Sequence, residues 1–532
     1  NGHTFKTKSD VEVILHLYEE KGVDCFRFLN GMFSVAIFDS IKNELILGRD
    51  QFGQKPLYYS KIGSSFLFAS EQRVFKAIKS HLFKIDYSSI LDYLQKGYIQ
   101  HPKTIFEEIK KLNPGHYAVI NSDNNVDIKR YFSLTFSNNF QKQNFNDNCA
   151  IFEKLLDESI LRHMMSEKPL GVFLSGGLDS STIAYYVTKH KANSLHTFSF
   201  GVDGFDNDER DLAKTTAKQL GTIHHEVKID KTSFLDLFNE MLLYIDEPMS
   251  DPTTTALFAL SQHCSKNVTV VLSGEGSDEL LFGYKNLNMW LDFFKNRNNK
   301  YTISKYLNFL PSKVSRTIVK YFGDHLDYLK YHNPHMLKQY LNNSKLRDCF
   351  LRKAHNHSLD SIYDEFKITN DISSEKNGFN LITQNIINFW LANDLLLKAD
   401  RMSMAHSIEL RSPFLDLELA NFLSQMNVDS KIRSNNGKVH QKYILRTIMK
   451  GKLPESIFNL PKKGFVNPFE NWLSTSYILN VKKEIKKDTS IIPFIIKNKY
   501  IDEVIDLAKN GQKSSQTTIY NWYLLSKWID LI

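Results

Sequence analysis

The sequence predicts an α/β protein made of two unlike parts, and three observations predict it. The chain is 532 residues, long for a single domain. Residues 1 to 133 carry short β-runs broken by turns, with one helical stretch. From about residue 150, compact apolar strands alternate with amphipathic helices, the pattern of a parallel sheet covered on both faces.

Each element has a local reason. In SDVEVILHLYEEKG (9–22), Ser9 is a cap, Val11, Ile14, Leu15, Leu17 and Tyr18 supply an apolar face, and Gly22 is a stop. MFSVAIFD (32–39), NELILGRD (43–50) and SSFLFASE (64–71) mix β-branched and aromatic residues and read as strands. SLTFSNNFQKQNFNDNC (133–149) is rich in Asn, Ser and Gln, poor in helix signals, and reads as a linker. The expected division is therefore 1–133, a linker over 134–149, and 150–532. In the second part PLGVFL (169–174), LHTFSFG (195–201), HHEVKI (224–229) and NVTVVLSG (267–274) are strands, separated by helices such as SSTIAYYVTKH and ERDLAKTTAKQLG. Beyond about 285 the chain reads as mostly helical, without a repeat. Its Lys-rich NVKKEIKKD (480–488) reads as a solvated helix face.

Composition narrows the function classes. With 42% hydrophobic, 24% charged and 13% aromatic residues, the chain is neither disordered, collagen-like nor a disulfide mini-protein. A net charge of +8, from 67 basic against 59 acidic residues, is a mild excess without a dominant basic block, so no nucleic-acid partner is expected. Cys25, Cys149, Cys264 and Cys349 lie far apart with no CxxC spacing, which suits a reducing, cytoplasmic compartment. No apolar run approaches the roughly 20 residues of a membrane span, and the start lacks the pattern of a signal peptide. Because residue 1 is Asn and not Met, the sequence is expected to be a processed form or a fragment.

The most informative stretch is GVFLSGGLDSSTIAYYV (171–187). A strand ends at Leu174, a small-residue turn follows (Ser175, Gly176, Gly177), and Asp179-Ser180-Ser181 opens a helix. Glycines let backbone N–H groups converge, and the helix N-terminus adds partial positive charge, so the turn is an anion site. GxxxxGK[ST] and GxGxxG are both absent here. A carboxylate inside a phosphate loop repels phosphate unless a cation lies between, which makes Asp179 a candidate Mg²⁺ ligand. Taken alone, the segment is equally a Gly turn capping a helix. NVTVVLSGEGSDELLFGY (267–284) repeats the logic, with Glu275, Asp278 and Glu279 at a second helix start. One such acid is ordinary helix stabilisation. Three, after a second Gly turn, read as a cation and acid/base cluster facing one crevice at the strand ends.

SGGLDSS resembles the PP-loop of ATP pyrophosphatases. Together with LSGEGSDELLFGY, DEPMSDPTTTAL (246–257), LLLKADRMSMAHSIELRSPFLD (395–416) and LPKKGF (460–465), it makes the chain similar to glutamine-dependent asparagine synthetases from residue 1 to about 475. The resemblance implies an N-terminal αββα glutaminase-like (Ntn) remnant, then a Rossmann-like ATP-pyrophosphatase domain with a helical C-terminal part. It implies ATP and Mg²⁺ as cofactors, with aspartate or another carboxylate and ammonia or glutamine as substrates. No membrane partner is implied, and a homodimer is the assembly to expect. Ser175, Gly176, Gly177, Asp179 and Ser180 would hold the phosphates, with Asp179 and Asp278 placing Mg²⁺. Leu174, Phe200 and Gly201 would flank the adenine, and Ser273 and Gly274 the nucleotide. The family reaction makes an acyl-adenylate that ammonia attacks, releasing AMP. Lys463 matches the cation needed for the departing charge, and Glu275 a proton acceptor or an orienting group. Arg411 is a candidate to bind a carboxylate or a phosphate. A same-family amidotransferase acting on a sugar acid or peptide carboxylate is the nearest alternative. A pseudoenzyme is a rival of another class. His224 and His225 are neighbours on a strand and point to opposite faces, so they are not expected to share a metal. Met402 and Met404 read as packing.

KSDVEVILHLYEE, LNGMFSVAIFD, LGRDQFGQKPLYY and FASE resemble the family's glutaminase domain. That domain uses an N-terminal cysteine nucleophile. Here residue 1 is Asn, and the RGPD and NGEIYN motifs are absent. Asp10 alone matches a glutamine-binding position. Truncation of a longer product is expected, with unpaired sheet edges and exposed apolar surface near the start. As written, the chain is expected to draw nitrogen from ammonia.

Overall fold

A computed structural model of the chain describes residues 2–79, 83–136, 144–191, 194–202, 210–284, 380, 383–435, 438–459 and 475–532. Helix α1 (Asp10–Lys21) starts where Ser9 accepts the Val11 N–H and stops at Gly22, whose φ is 56°. The sequence signals there were sufficient. Strands β1 (Ser34–Asp39), β2 (Glu44–Arg49), β6 (His116–Ile120) and β7 (Val126–Arg130) form one antiparallel sheet in the order β1-β2-β6-β7. β4 (Ser65–Ala69), β3 (Tyr58–Ile62) and β5 (Ile109–Lys111) form a second. Pattern reading finds β1, β2 and β4 and misses the other four. β5 is three residues long, and β7 is exposed along almost all of VDIKR, so neither carries an apolar alternation. It also misses α2 (Gln72–Lys79) and α3 (Tyr87–Lys96). The latter starts where Asp86 accepts the Ser88 N–H and the Ser89 hydroxyl.

Cys25 sits in a short 3₁₀ segment, Gly22–Phe28, fully buried beside Phe26, Ile37 and Ile46. Burial pushes its thiol up to about 11, away from the thiolate form.

The second part begins with α4 (Phe145–His163), so the end of the expected linker is already helix, while 137–143 lie outside the described residues. Asn144 caps it by accepting the Asn146 N–H, a signal hidden in an Asn-rich run. Then come β8 (Leu170–Phe173), α5 (Leu178–His190), β9 (His196–Val202), α6 (Arg210–Leu220), β10 (Ile223–Ile229), α7 (Lys231–Met241), α8 (Thr253–Cys264), β11 (Val270–Leu272), α9 (Ser277–Leu281) and, far along the chain, β12 (Glu409–Arg411). All neighbouring strand pairs are parallel, in the order β10-β9-β8-β11-β12. From β8 the chain winds outward through β9 and β10, then returns to β11 on β8's other side. That reversal opens a crevice at the carboxyl ends of β8 and β11. On β10, His224 faces the Thr197 and Ser199 hydroxyls at 3.0 Å each, and His225 faces His196 at 2.9 Å on the opposite side.

Buried polar ties fasten the two parts. Lys55 pairs with Asp400 at 2.9 Å, Arg401 with Glu71 at 3.2 Å, and Lys111 with Glu247, while Arg401 also holds Asp246 of its own part at 3.3 Å. The His101 N–H donates to Asn393 at 2.9 Å. C-terminal helix Lys513–Asp530 touches both parts: Asn521 O accepts from Tyr93 at 3.0 Å, and Trp528 donates to Ile245 O at 3.1 Å. Lys482 and Lys486, on the expected solvated face, each pair with Asp502 at 2.9 Å. Met402 is core while Met404 is exposed. The helices expected over 285–379 lie outside the described residues. Among the described residues, no helix is long and apolar enough to cross a membrane.

Candidate active site

Because β8 and β11 pair in register, with Leu272 opposite Val172, their following loops leave side by side. In the first loop Leu174 is buried and donates its N–H to Phe198 O at 2.8 Å. Gly176 has φ 78°, a conformation that favours glycine, and Gly177 caps α5. The Ser180 hydroxyl accepts the Ser175 N–H and donates to Gly177 O, both at 3.2 Å. Ser175 Oγ accepts the Gly177 N–H at 3.2 Å. The turn is thus held in shape by its own serines at the positive end of a helix.

The second loop comes within contact of the first. A Cβ on Gly274 would lie 2.9 Å from Asp179 Cβ, so the approach requires glycine there. Ser277 donates to Asp179 Oδ1 at 2.7 Å. One cation joins both loops: Lys442 Nζ is 2.5 Å from Asp179 and 2.7 Å from Asp278. Burial opposes the Lys442 charge, but Asp179 and then Asp278 outweigh it and hold its pKa above the usual lysine value. Lys442 has φ 53°, backbone strain of the kind that persists at over-determined functional positions. Gly283 closes the arrangement, since a Cβ there would fall 1.8 Å from Asp278 Oδ1 and 2.1 Å from Lys442 Cε. Asp278 Oδ1 and the end of the Lys442 chain can shift only by loosening their own ion pair. Gly283→Ala is therefore expected to lower kcat/KM for ATP by about tenfold with little change in melting temperature.

A second layer lies behind. Lys398 Nζ is 2.5 Å from Asp251 and donates to Thr253 at 2.9 Å. Burial works against that ammonium, yet Asp251, Glu275 and Asp394 raise its pKa. Asp394, on the π-helical turn Ile386–Leu395, is lifted to about 7, first by burial and then by Asp251. Glu279, which accepts the Tyr284 hydroxyl, is lifted to about 7 by burial and by Asp278. Folded Glu279 thus keeps its proton to about pH 7, where the unfolded residue, with an ordinary value of 4.5, has lost it. Between those values the folded state binds more protons, so this group removes stability as pH rises. Glu279→Gln is expected to raise unfolding stability by about 1 kcal/mol at pH 8 and by nothing at pH 4, read from urea midpoints.

The fold therefore brings together Leu174, Ser175, Gly176, Gly177, Asp179, Ser180, Ser273, Gly274, Glu275 and Asp278. The Ser273 hydroxyl is buried with no hydrogen-bond partner among the described residues. Phe200 and Gly201 lie just before the end of the neighbouring strand β9, where the Arg210 side chain covers Gly201: a Cβ there would meet Arg210 Nε at 2.2 Å. Arg411 requires a correction. Its guanidinium bonds Glu409 and the carbonyls of His163 and Met165, each at 2.7 Å, and so closes the C-terminal end of α4. Only its backbone reaches the site, accepting the Ser273 N–H at 2.9 Å. Asp10 is exposed in the first turn of α1. Lys463 lies outside the described residues. Sequence reading missed Lys442, Lys398, Asp251 and Asp394. The last three lie in or beside motifs already singled out, whereas Lys442 has no local signal beyond preceding an apolar helical run.

Residues 152–530 match the family described as asparagine synthase, and residues 1–132 match one described as a glutamine amidotransferase domain. Asparagine synthetase (glutamine-hydrolyzing) 1 of Bacillus subtilis is 31% identical, covering 96% of this chain and 80% of its own. A putative asparagine synthetase (glutamine-hydrolyzing) of Mycobacterium tuberculosis is 30% identical, covering 90% of this chain and 73% of its own. The solved NH3-dependent NAD synthetase from Campylobacter jejuni is 16% identical over 38% of this chain and 94% of its own, with a TM-score of 0.21.

Proposed function

The chain belongs to the asparagine synthase family, and from that premise we propose that this ligase amidates aspartate with ATP, through an acyl-adenylate, releasing AMP and pyrophosphate. The observation that carries the reading is the meeting of Asp179 and Asp278, from loops on adjacent strands, on one cation-binding point beside a helix N-terminus. Two carboxylates converging there are hard oxygen donors and fit a Mg²⁺ ion shared with phosphates. Such an ion would neutralise charge on the departing pyrophosphate.

The chain's own groups divide the remaining work. The SGGLDSS turn and the α5 N-terminus bind the phosphates, and the Lys442 ammonium, 2.5 Å from Asp179, turns to them as a second cation. Lys463 is assigned to the same charge from the sequence. A β-carboxylate oxygen of aspartate attacks the α-phosphorus, and the bond to pyrophosphate breaks. Ammonia then attacks the acyl carbon, AMP leaves with the former acyl oxygen, and the nitrogen gives up a proton. Glu275, close enough to Lys398, Asp394 and Glu279 to shift their pKa values, is the residue proposed to receive or orient it.

Pyrophosphate release from Mg·ATP, with and without aspartate and with ammonium chloride or glutamine, tests the proposal when asparagine is measured in the same samples. Aspartate-dependent pyrophosphate with asparagine from ammonium is the expected result. Mg·ATP binding without any response to aspartate would move the assignment to another carboxylate.

A further inference from the structure

We propose that His3, His16 and Glu19 form a surface site for a divalent cation of the zinc class, away from the nucleotide loops. One ligand atom of each residue lies within 4.8 Å of the others. Glu19 Oε2 is 3.1 Å from His16 Nδ1 and 3.7 Å from His3 Nδ1. Ligands held at about 2.0–2.1 Å around a tetrahedral ion stand about 3.3 Å apart, so these separations already match such a coordination edge.

The outer partners point the same way. Both histidines turn Nδ1 toward Glu19, and the other nitrogen of each ring faces a different carboxylate. Glu20 Oε1 is 3.0 Å from His3 Nε2, and Glu12 Oε1 is 3.7 Å from His16 Nε2. Glu20 behind His3 fixes the tautomer that leaves its Nδ1 as the ligand, the usual second shell of a zinc-bound histidine, whereas Glu12 stands beyond hydrogen-bond reach of His16 Nε2. Three carboxylates converging on two imidazoles also make a strongly negative site that a divalent ion relieves. His16, Glu19 and Glu20 share one face of α1 by helical spacing, but His3 must be brought to it. Glu12 does this by accepting the Lys6 N–H at 2.6 Å, the Thr7 N–H at 2.7 Å and the Thr7 hydroxyl. The segment is thereby folded back on the helix, and the His3 and His16 rings lie 4.4 Å apart. Imidazole with one carboxylate and no thiolate is the donor set of zinc and its first-row neighbours rather than of Mg²⁺ or Ca²⁺. The bound ion would clip residues 3–8 to α1.

The test is calorimetric titration of the full chain with ZnCl₂ in the absence of ATP, with Co²⁺ absorption as a second readout. One saturable site with a micromolar Kd and intense visible cobalt bands of tetrahedral type are expected. His16→Ala and the exposed Glu19→Gln should each weaken binding at least tenfold, while His225→Ala, on strand β10, should not. Pyrophosphate release should be unchanged in Glu19→Gln, which separates this site from the nucleotide site. Zinc binding that survives both α1 substitutions, or no binding below 100 μM, would overturn the assignment in favour of plain His–Glu ion pairs.

Discussion

Lys442→Met is expected to reduce Mg·ATP-dependent pyrophosphate release at least a hundredfold and to destabilise the fold by about 3 kcal/mol in metal-free buffer. The two effects have one origin. The ammonium is buried and bridges Asp179 and Asp278, so its removal leaves two partly buried carboxylates facing each other without a counter-charge. Breaking a buried pair by deleting one partner costs about 3–5 kcal/mol, and the lower end suits carboxylates that keep some exposure. Mg²⁺ then becomes diagnostic. If the aspartates are ligands, the ion replaces the lost ammonium, and the variant's melting temperature should recover with added Mg²⁺ more than the parent's rises. A variant whose melting is indifferent to Mg²⁺ would mean that Asp179 and Asp278 hold a lysine and nothing else. Activity stays low in either case, because the second cation on the phosphates is gone.

Lys442 also marks the limit of what the sequence could supply. The strands of the parallel sheet were legible because buried strands are dense runs of β-branched residues, and the two glycine turns because only small residues permit such close approach. Their convergence followed from sheet topology: two acidic turns after parallel strands must open on one edge. A lysine in left-handed backbone, 263 positions from Asp179, has no comparable signature. Arg411 was misjudged for the opposite reason. Its fork suits a ligand and a helix C-terminus equally, and only the nearness of His163 and Met165 decides between them. In the N-terminal sheets, exposed or three-residue strands lacked periodicity, and pairing of β7 with β6 and of β5 with β3 supplied the order that their own residues do not encode.

Lys111→Met is expected to destabilise the chain by about 3–5 kcal/mol, whereas Lys111→Met combined with Glu247→Met should recover most of the loss. Lys111 lies on β5 and donates to Ile99 O at 2.6 Å and to Glu247, which belongs to the other part of the molecule. Both side chains are almost fully buried, 4% and 1% exposed. Burial lowers the Lys111 pKa and raises that of Glu247, each toward its neutral form, while the partner's charge pulls it back. The pair therefore nearly cancels its own desolvation, and the large cost arises when one member is left alone. Methionine at both positions removes the charges and keeps the volume, at the expense of the bond to Ile99 O and the one Glu247 accepts from Gln72 at 3.4 Å. The shape of the unfolding curve carries the stronger conclusion. Lys55–Asp400 and Arg401–Glu71 join the same two parts, so if these ties act as a network the single variant should still unfold in one step, only earlier. Two separated steps in Lys111→Met would instead identify this pair as the contact that makes the two parts fold as one.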